Sequence, residues 1–367
     1  MSQAVVRVVS PGALALVQDI GRWGHQRFGV SVSGAIDHEA LFLGNRLVGN
    51  TADAAAIEIT LGGADFEFTD ATLVAVTGGD LDATLDGVPV PTWESVGVTA
   101  GSHLTFGGPL LGLRAYLCIA GGIDTTPVLG SRSTHAGSRL GGLDGGPLKA
   151  GVDVPVGDPP ADAEPGLRVP GDLVPEYPGE IVARVVPGPQ EDAFTSTGVD
   201  KFYDSEYMVT DRSDRQGLRL DGPVIEAKDG RYDIVSDAVP LGSVQVPGDG
   251  NPIILLADRQ TTGGYAKIGV VAGVDLPKLA QAAPGASIKF QRVTVQEAQA
   301  AARARRQELR DTELEHPAPS RVFEVSVGGE SHSMRFLRPR SNQARFGVQV
   351  SVDGEWLLIE VETTADE

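Results

Sequence analysis

Residues 99–106 read Thr-Ala-Gly-Ser-His-Leu-Thr-Phe, and residues 283–290 read Ala-Pro-Gly-Ala-Ser-Ile-Lys-Phe. In both stretches a glycine turn precedes alternating apolar positions that end on phenylalanine, which is typical of a half-buried strand entered through a tight turn. A fainter echo joins residues 28–37 with residues 207–217, so each half also has a polar, glycine-containing loop early in its course. The repetition predicts a duplicated pair of β domains.

Apolar alternation and short apolar runs predict strands on both sides of the chain's midpoint, at residues 5–9, 71–76, 113–119, 181–186, 253–256 and 268–271. Helical spacing predicts short helices at residues 38–48, where Asp37 is placed to cap, and at residues 276–282. A longer helix is predicted from a capping box at residues 294–297 to about residue 314. The 47 glycines, 24 prolines and 5% aromatic residues agree with a mainly β, turn-rich fold.

The chain is long enough for two cores, and a region rich in Pro, Asp, Glu and Gly separates them at residues 154–179. We therefore predict domains at residues 1–165 and 166–298. Residues 299–367 are predicted to add the long helix and a small β appendix, because residues 321–361 alternate in hydrophobicity between glycine turns.

The formal net charge of −19 makes nucleic acid and anionic membranes poor partners. No long apolar segment is present, so we expect a cytoplasmic protein. The single cysteine, Cys118, is predicted to be a buried strand residue. Six scattered histidines at no metal-ligand spacing argue against a metal site, and the familiar phosphate-loop, dinucleotide and serine-hydrolase motifs do not occur.

Four arginines on the predicted long helix leave two interpretations open, a solvated face or a face that docks a partner. They are Arg303, Arg305, Arg306 and Arg310.

Several polar loops have the residue types that a planar amide requires: donors for a carbonyl oxygen, an acceptor for an N–H, and glycine where the backbone must come close. They lie at residues 17–24, 33–37, 45–50, 213–220, 245–247 and 258–267. Each loop alone is compatible with a structural turn, and Asp37 and Arg219 alone are compatible with a cap and an ion pair.

Together and in order, these segments resemble the family of 5-oxoprolinase C-type subunits, also known as allophanate hydrolase subunit 2 or the Kip antagonist. The resemblance covers most of residues 8–298 and is carried by residues 17–19, 21–22, 33–35, 37, 47–50, 57–59, 130–134, 213–215, 242–247 and 260–265. The family is similar to the carboxyltransferase region of urea carboxylase. The resemblance therefore implies two cyclophilin-like β barrels with the active cleft between them.

The resemblance also implies a function: ATP-dependent opening of 5-oxoproline to glutamate, in hetero-oligomers with 5-oxoprolinase B-type and A-type subunits. ATP would be held by the complex. The expected catalytic residues are Asp19, Asp37, Glu58 and Lys267. The expected substrate-binding residues are Gln18, Arg22, Asn45, Arg132, Ser133, Arg215, Arg219, Gln245, Pro247, Gln260, Thr261, Thr262, Gly263, Gly264 and Tyr265.

Two other functions stay open. One is a biotin-dependent carboxyltransferase that acts on urea or a related amide, although the chain has no Met-Lys-Met attachment site of its own. The other is a regulatory module that binds a kinase-inhibitor-like B-type subunit without turnover.

Overall fold

The computed structural model describes residues 4–161, 163–316, 322–327, 330–336, 345–352 and 355–362. The fold is mainly β, as predicted. The strands are β1 Val5–Pro11, β2 Leu14–Gln18, β3 Ala56–Thr60, β4 Ala64–Phe68, β5 Thr72–Asp80, β6 Ala83–Leu85, β7 Val88–Pro89, β8 Ser95–Val98, β9 His103–Phe106, β10 Leu111–Ile119, β11 Asp153–Pro155, β12 Glu180–Pro187, β13 Glu206–Val209, β14 Gly217–Asp221, β15 Asp233–Ala238, β16 Ser243–Gln245, β17 Ile253–Leu255, β18 Thr262–Tyr265, β19 Lys267–Val271, β20 Ser287–Arg292, β21 Val322–Val327, β22 Glu330–Phe336, β23 Arg345–Val352 and β24 Glu355–Glu362. The α-helices are α1 His38–Leu47, α2 Ser196–Asp204, α3 Leu276–Ala280 and α4 Val295–Asp311, and short 3-10 turns lie at Gln26–Phe28, Ala136–Ser138, Glu191–Ala193, Lys228–Gly230 and Gly273–Asp275.

Two compact units divide the chain, and neither is continuous in sequence. The first unit contains Met1–Ile20, Glu39–Pro175 and Glu313–Glu367, and the second contains Gly21–His38 and Glu176–Thr312. The junction near residue 175 falls in the predicted linker region. The units differ from the predicted contiguous domains in three places. Residues 21–38 belong to the second unit, residues 166–175 belong to the first, and the predicted appendix divides, with residues 299–312 in the second unit and the rest in the first.

The first unit packs two antiparallel sheets over one apolar core. One sheet has the order β11-β1-β4-β9-β6-β7 and the other β2-β3-β10-β5-β8. Val8 and Phe66 of one sheet and Ile57 of the other are fully buried in the same cluster, as alternation of apolar side chains predicts. Helix α1 covers this unit closely, because Thr77 Oγ1 donates a hydrogen bond to the carbonyl of Ala40 at 2.8 Å.

The second unit is a closed barrel of seven strands in the order β12-β19-β16-β17-β14-β13-β20. The barrel closes through a parallel pairing of β12 with β20, in register from Glu180 with Ser287 to Val185 with Arg292. Closure leaves no unpaired sheet edge in the barrel. Phe202 of α2 stacks on Phe290 of β20 with ring centroids 4.3 Å apart, and this contact anchors the helix to the barrel.

The first sequence echo corresponds to one hydrogen-bonded turn present in both units. In the first unit Ser102 N–H donates to Thr99 O, and Gly101 N–H donates to Phe68 O. In the second unit Ala286 N–H donates to Ala283 O, and Gly285 N–H donates to Val209 O. Gly101 has φ +85° and Gly285 has φ +92°, a conformation that glycine adopts without steric cost. The fainter echo is wrong, since residues 28–37 and 207–217 lie in the same unit and only the latter contain strands.

Most predicted elements are confirmed. Helices α1, α3 and α4 lie where spacing and caps place them, and the capping box between Thr294 and Glu297 is present. Helix α2 was missed, because its sequence includes Gly198 and the β-branched Val199, which weaken the helical signal. Thr195 caps it by accepting a hydrogen bond from Gly198 N–H. Cys118 is buried in β10, and burial raises the pKa of its thiol.

The C-terminal residues form the predicted meander, in which β21, β22, β23 and β24 pair in sequence order. On helix α4, Arg303, Arg306 and Arg310 are exposed, while Arg305 pairs with Glu308 at 2.7 Å. None of the helices in the described ranges is long and apolar enough to cross a membrane.

Candidate functional site

A pair of glutamine side chains lies at the second unit's polar loop. Gln245 ends β16 and is buried, and Gln260 follows the buried segment that leaves β17. Gln260 Nε2 donates a hydrogen bond to Gln245 Oε1 at 3.3 Å, and Gln245 Nε2 donates to the carbonyl of Tyr265 at 3.3 Å. These contacts fix the order of donors and acceptors along both amide edges. We call Gln245 and Gln260 the glutamine pair.

Gly263 leaves room for the glutamine pair. It lies in β18, whose antiparallel partner β15 places Asp237 opposite Gly263. A Cβ on Gly263 would lie 2.7 Å from Gln245 Nε2, closer than real Cβ atoms approach other atoms, and would make tight contacts of 3.2 Å with Val239 Cγ2 and 3.3 Å with Gln260 Nε2. At Gly264 the nearest atom would be 3.7 Å away, an ordinary contact. A methyl side chain therefore fits at Gly264 but not at Gly263 unless neighbouring side chains move.

We expect Gly263→Ala to reduce turnover about tenfold while leaving the fold intact, because the added methyl must displace the amide ends of flexible side chains. Gly264→Ala is the matched control and should keep normal turnover. Steady-state kinetics and thermal unfolding of both variants check this expectation. Equal turnover in the two variants would contradict a role for the glutamine pair.

A buried ammonium group lies on the next strand. Lys267 begins β19 and is 1% exposed, and its Nζ donates to Asp237 Oδ2 at 2.9 Å. Asp237 is exposed, and this hydrogen bond from Lys267 is the main reason that its pKa lies below the ordinary value. Gln190 contacts both, since its Nε2 donates to Asp237 Oδ2 at 3.4 Å and its Oε1 accepts from Lys267 N–H.

A cavity of about 300 Å³ opens beside the glutamine pair in the second unit. Its polar lining includes Arg259, Gln260 and Thr261, and its apolar lining includes Trp23 and Val239. Thr261 O accepts from Val239 N–H at 3.0 Å, so the two lining segments hold each other in place. The volume suits a small molecule.

Arg215 and Asp258 form a buried ion pair in the same unit. Arg215 Nε and Nη2 donate to the two carboxylate oxygens at 2.9 and 3.1 Å, and Nη2 also donates to Gly34 O at 2.7 Å. Ser33 Oγ donates to Asp258 Oδ1 at 2.8 Å. The pair therefore attaches the loop containing Gly34 to the barrel, which is a structural reason for Arg215 to be present. Its predicted contact with substrate stays a prediction.

Among the remaining predicted residues of the second unit, Tyr265 contacts the glutamine pair through its carbonyl. Asp37 is fully buried and accepts hydrogen bonds from Tyr177 Oη and Gln281 Nε2, both at 2.9 Å. Arg22 is 1% exposed, and its N–H donates to Val32 O at 2.9 Å. Arg219 is exposed on β14. Three more lie near the chain's surface, namely Pro247, Thr262 and Tyr265.

Asp19 organises a loop in the first unit. Its carboxylate accepts hydrogen bonds from Ser131 Oγ at 2.6 Å, Ser133 Oγ at 2.5 Å and Arg132 N–H at 2.6 Å. Gln18 Nε2 donates to Thr134 O at 3.0 Å, so β2 and the loop are joined at consecutive residues. The sequence placed these residues in two distant segments, and the structure brings them together.

Glu58, Asn45 and Arg132 have local partners in the first unit. Glu58 Oε2 accepts from Tyr116 Oη at 2.7 Å across β3 and β10. Asn45 Nδ2 donates to Ala54 O at 2.8 Å, and Arg132 Nη2 donates to Asp124 Oδ1 at 2.7 Å. No cluster of metal-ligating side chains occurs in the part of the chain that the structure describes.

Sequence reasoning missed three residues that the structure adds to this region: Gln190, Asp237 and Arg259. Arg259 lies in the polar loop at residues 258–267. The sequence does not indicate whether Asp258 pairs with Arg259 or with another arginine. Asp237 lies in an exposed polar strand with no local motif.

Comparisons with known proteins identify the family. The carboxyltransferase domain, subdomain A and B, matches residues 28–292. The C-type 5-oxoprolinase subunit of Escherichia coli K12 is 38% identical over 294 residues, covering 80% of this chain and 93% of that protein. The protein of the same name from Haemophilus influenzae is 37% identical over the same shares. The urea amidolyase of Lachancea kluyveri is 36% identical over 312 residues, but they form only 17% of its length.

The solved structure of Kluyveromyces lactis urea amidolyase superposes with a TM-score of 0.81 and 29% identity, covering 95% of this chain and 23% of that one. The urea carboxylase of the same yeast gives a TM-score of 0.80 over 95% of this chain and 34% of that one. This chain thus spans about a quarter to a third of those polypeptides. By profile match and by identity over most of its length, the chain belongs to the carboxyltransferase-domain family that includes the C-type 5-oxoprolinase subunits.

Proposed function

We propose that this chain is the C-type subunit of an ATP-dependent 5-oxoprolinase, which hydrolyses 5-oxo-L-proline to L-glutamate in the cytoplasm. The observation that carries this is the glutamine pair at the edge of the 300 Å³ cavity. A lactam presents one carbonyl acceptor and one N–H donor on the same edge, and a primary amide side chain offers the complementary donor and acceptor. The 93% coverage of the Escherichia coli protein supports the same assignment.

The chemistry must overcome the resonance of the lactam. Transfer of the terminal phosphoryl group of ATP to the lactam oxygen forms a P–O bond and releases ADP, which makes the carbonyl carbon electrophilic. Water then adds at that carbon, the C–N bond breaks with protonation of the nitrogen, and a second water releases phosphate to leave glutamate. Lys267, with its ammonium group already fixed at 2.9 Å from Asp237, offers positive charge for the oxygen that becomes anionic.

Other residues supply positioning in this proposal. The backbone of residues 261–264 offers N–H groups for the developing oxyanion, and the orienting or proton-accepting roles expected of Asp19, Asp37 and Glu58 stay predictions. The complex with the B-type and A-type subunits holds ATP at a site that we do not assign to this chain.

The complex should release ADP only when 5-oxoproline is present. Co-expression with the B-type and A-type subunits, followed by an ADP-release assay with 5-oxoproline, urea and allophanate in parallel, checks this. The chain alone is the control and should give no turnover. ADP release with urea but not with 5-oxoproline would contradict the proposal, and tight assembly without any turnover would favour the regulatory function.

One observation favours a biotin-dependent carboxyltransferase as the second candidate. The urea amidolyase structure covers 95% of this chain, so the superposition must extend into the C-terminal segment Glu313–Glu367. Under this alternative the chain would need a separate biotinylated carrier. Carboxyl transfer from such a carrier to urea, measured with labelled bicarbonate, separates the two functions.

A further inference from the structure

Arg259 is a buried arginine whose charge has no acidic partner among the described residues. The residue is only 6% exposed. Nε donates to Val239 O at 3.0 Å and Nη1 donates to Leu256 O at 3.2 Å. Nη2 donates to no group within the described part of the chain. Two neutral carbonyls orient the guanidinium but leave its charge uncompensated, which is costly in a buried position.

The adjacent carboxylate does not neutralise Arg259. Asp258 is the next residue, but both of its oxygens are taken by Arg215, and Ser33 donates to one of them. Burial is the cause that lowers the pKa of Arg259 to about 10, so the guanidinium stays protonated at neutral pH. Arg215, another buried arginine of the second unit, thus shows the pairing that Arg259 lacks.

Arg259 lines the cavity described above, together with residues of two chemical kinds. Gln260 and Thr261 continue the polar wall from Arg259, and Trp23, Val32 and Leu241 form an apolar wall. A ligand that fits must therefore combine an anion at one end with a compact apolar body and a polar edge. The geometry of guanidinium nitrogens suits a carboxylate, which accepts two parallel hydrogen bonds.

We propose that Arg259 binds the carboxylate of a small cyclic amide acid in this cavity, with the ring against Trp23 and the ring amide toward the glutamine pair. This inference rests on the proposed function and specifies which residue recognises the acid group of the substrate. It adds a residue to the sequence-based hypothesis, whose expected substrate-binding arginines include Arg215 and Arg219 but not Arg259.

Ligand analogues test the inference on the unaltered chain. Isothermal titration calorimetry should show binding of 5-oxoproline, and binding about 10- to 100-fold weaker for its carboxamide and for 2-pyrrolidinone, which lack the negative charge. Inorganic phosphate is titrated in parallel, because its anionic oxygens can accept the same hydrogen bonds from the guanidinium as a carboxylate. Binding of phosphate in preference to the acid would overturn the carboxylate assignment, as would equal affinity for 5-oxoproline and its carboxamide.

Variants test the residue. Arg259→Gln should weaken 5-oxoproline binding about 10- to 100-fold but leave the carboxamide unchanged, and Arg259→Lys should restore part of the difference by keeping the charge. Arg231→Gln removes an exposed arginine of the same unit and should behave as the unaltered chain. The difference between the acid and its carboxamide is independent of any general loss of folding.

The kinetics of the complete complex separate this inference from the proposed function. If the complex hydrolyses 5-oxoproline and Arg259→Gln leaves the KM unchanged, the inference fails and the function stands. If the complex does not act on 5-oxoproline but the chain binds small carboxylates through Arg259, the function fails and the anion site stands. No binding of any carboxylate, by the chain or by the complex, overturns the inference.

Discussion

Arg215→Met should lower the free energy of unfolding by about 3–5 kcal/mol, because it leaves the carboxylate of Asp258 buried without its cation. Arg215 is 6% exposed and Asp258 is 9% exposed, and two hydrogen bonds join the guanidinium to the carboxylate. Loss of the arginine also removes the donor to Gly34 O. Chemical denaturation followed by circular dichroism measures the effect.

A matched control lies in the same loop. Arg212 forms an ion pair with Asp221 at 3.4 Å, and both side chains are more than half exposed. Because exposed pairs contribute little, Arg212→Met should change the unfolding free energy by at most about 1 kcal/mol. Similar losses from the two variants would contradict the buried-pair argument.

Removing both charges distinguishes the two possible roles of Arg215. The double variant Arg215→Met, Asp258→Leu should recover much of the lost stability, since no unpaired charge stays buried. If Arg215 only supports the fold, the double variant should also recover binding of 5-oxoproline. A stable double variant that cannot bind ligand would instead support the sequence-based prediction that Arg215 contacts substrate.

The sequence predicts the fold well where local patterns decide it. Period-two alternation placed strands such as β1 and β20, and the capping box placed the start of α4, because these signals involve residues close together in the chain. It could not predict that residues 21–38 belong to the second unit. That outcome depends on contacts such as Ser33 N–H to Ala257 O, which join residues more than two hundred positions apart.

In the candidate site, too, local patterns could be predicted from the sequence and long-range contacts could not. The residue types of one loop, from Gln260 to Lys267, predicted a polar site that the structure assembles with Gln245. The pairing of Asp258 with Arg215 could not be predicted, because Arg259 is its neighbour in sequence whereas Arg215 is 43 positions away. The tertiary structure determines which of the two arginines has no acidic partner. In our proposal, that arginine is the one that binds an anion.

Lys267→Met should reduce kcat/KM of the complete complex by about 10²–10³ if its ammonium stabilises the developing oxyanion. Stability should change little, because Asp237 is exposed and water can solvate its carboxylate when the lysine is gone. Lys289→Met is the control, since Lys289 pairs with Glu206 at 2.6 Å on the surface of the same barrel. Its activity should stay normal.

The titration of Asp237 reports whether the ion pair with Lys267 exists, separately from any part that Lys267 takes in catalysis. Lys267 holds the pKa of Asp237 below the ordinary aspartate value, so the charged pair is intact above that value and is lost as the pH falls through the lowered pKa. In Lys267→Met the pKa of Asp237 should rise toward the ordinary value, which carbon NMR of the labelled carboxyl group measures. If that pKa rises as expected while kcat/KM is unchanged, the ion pair exists but the ammonium takes no part in catalysis. If both change, the same group that orders β15 and β19 also supplies the positive charge that lactam opening requires.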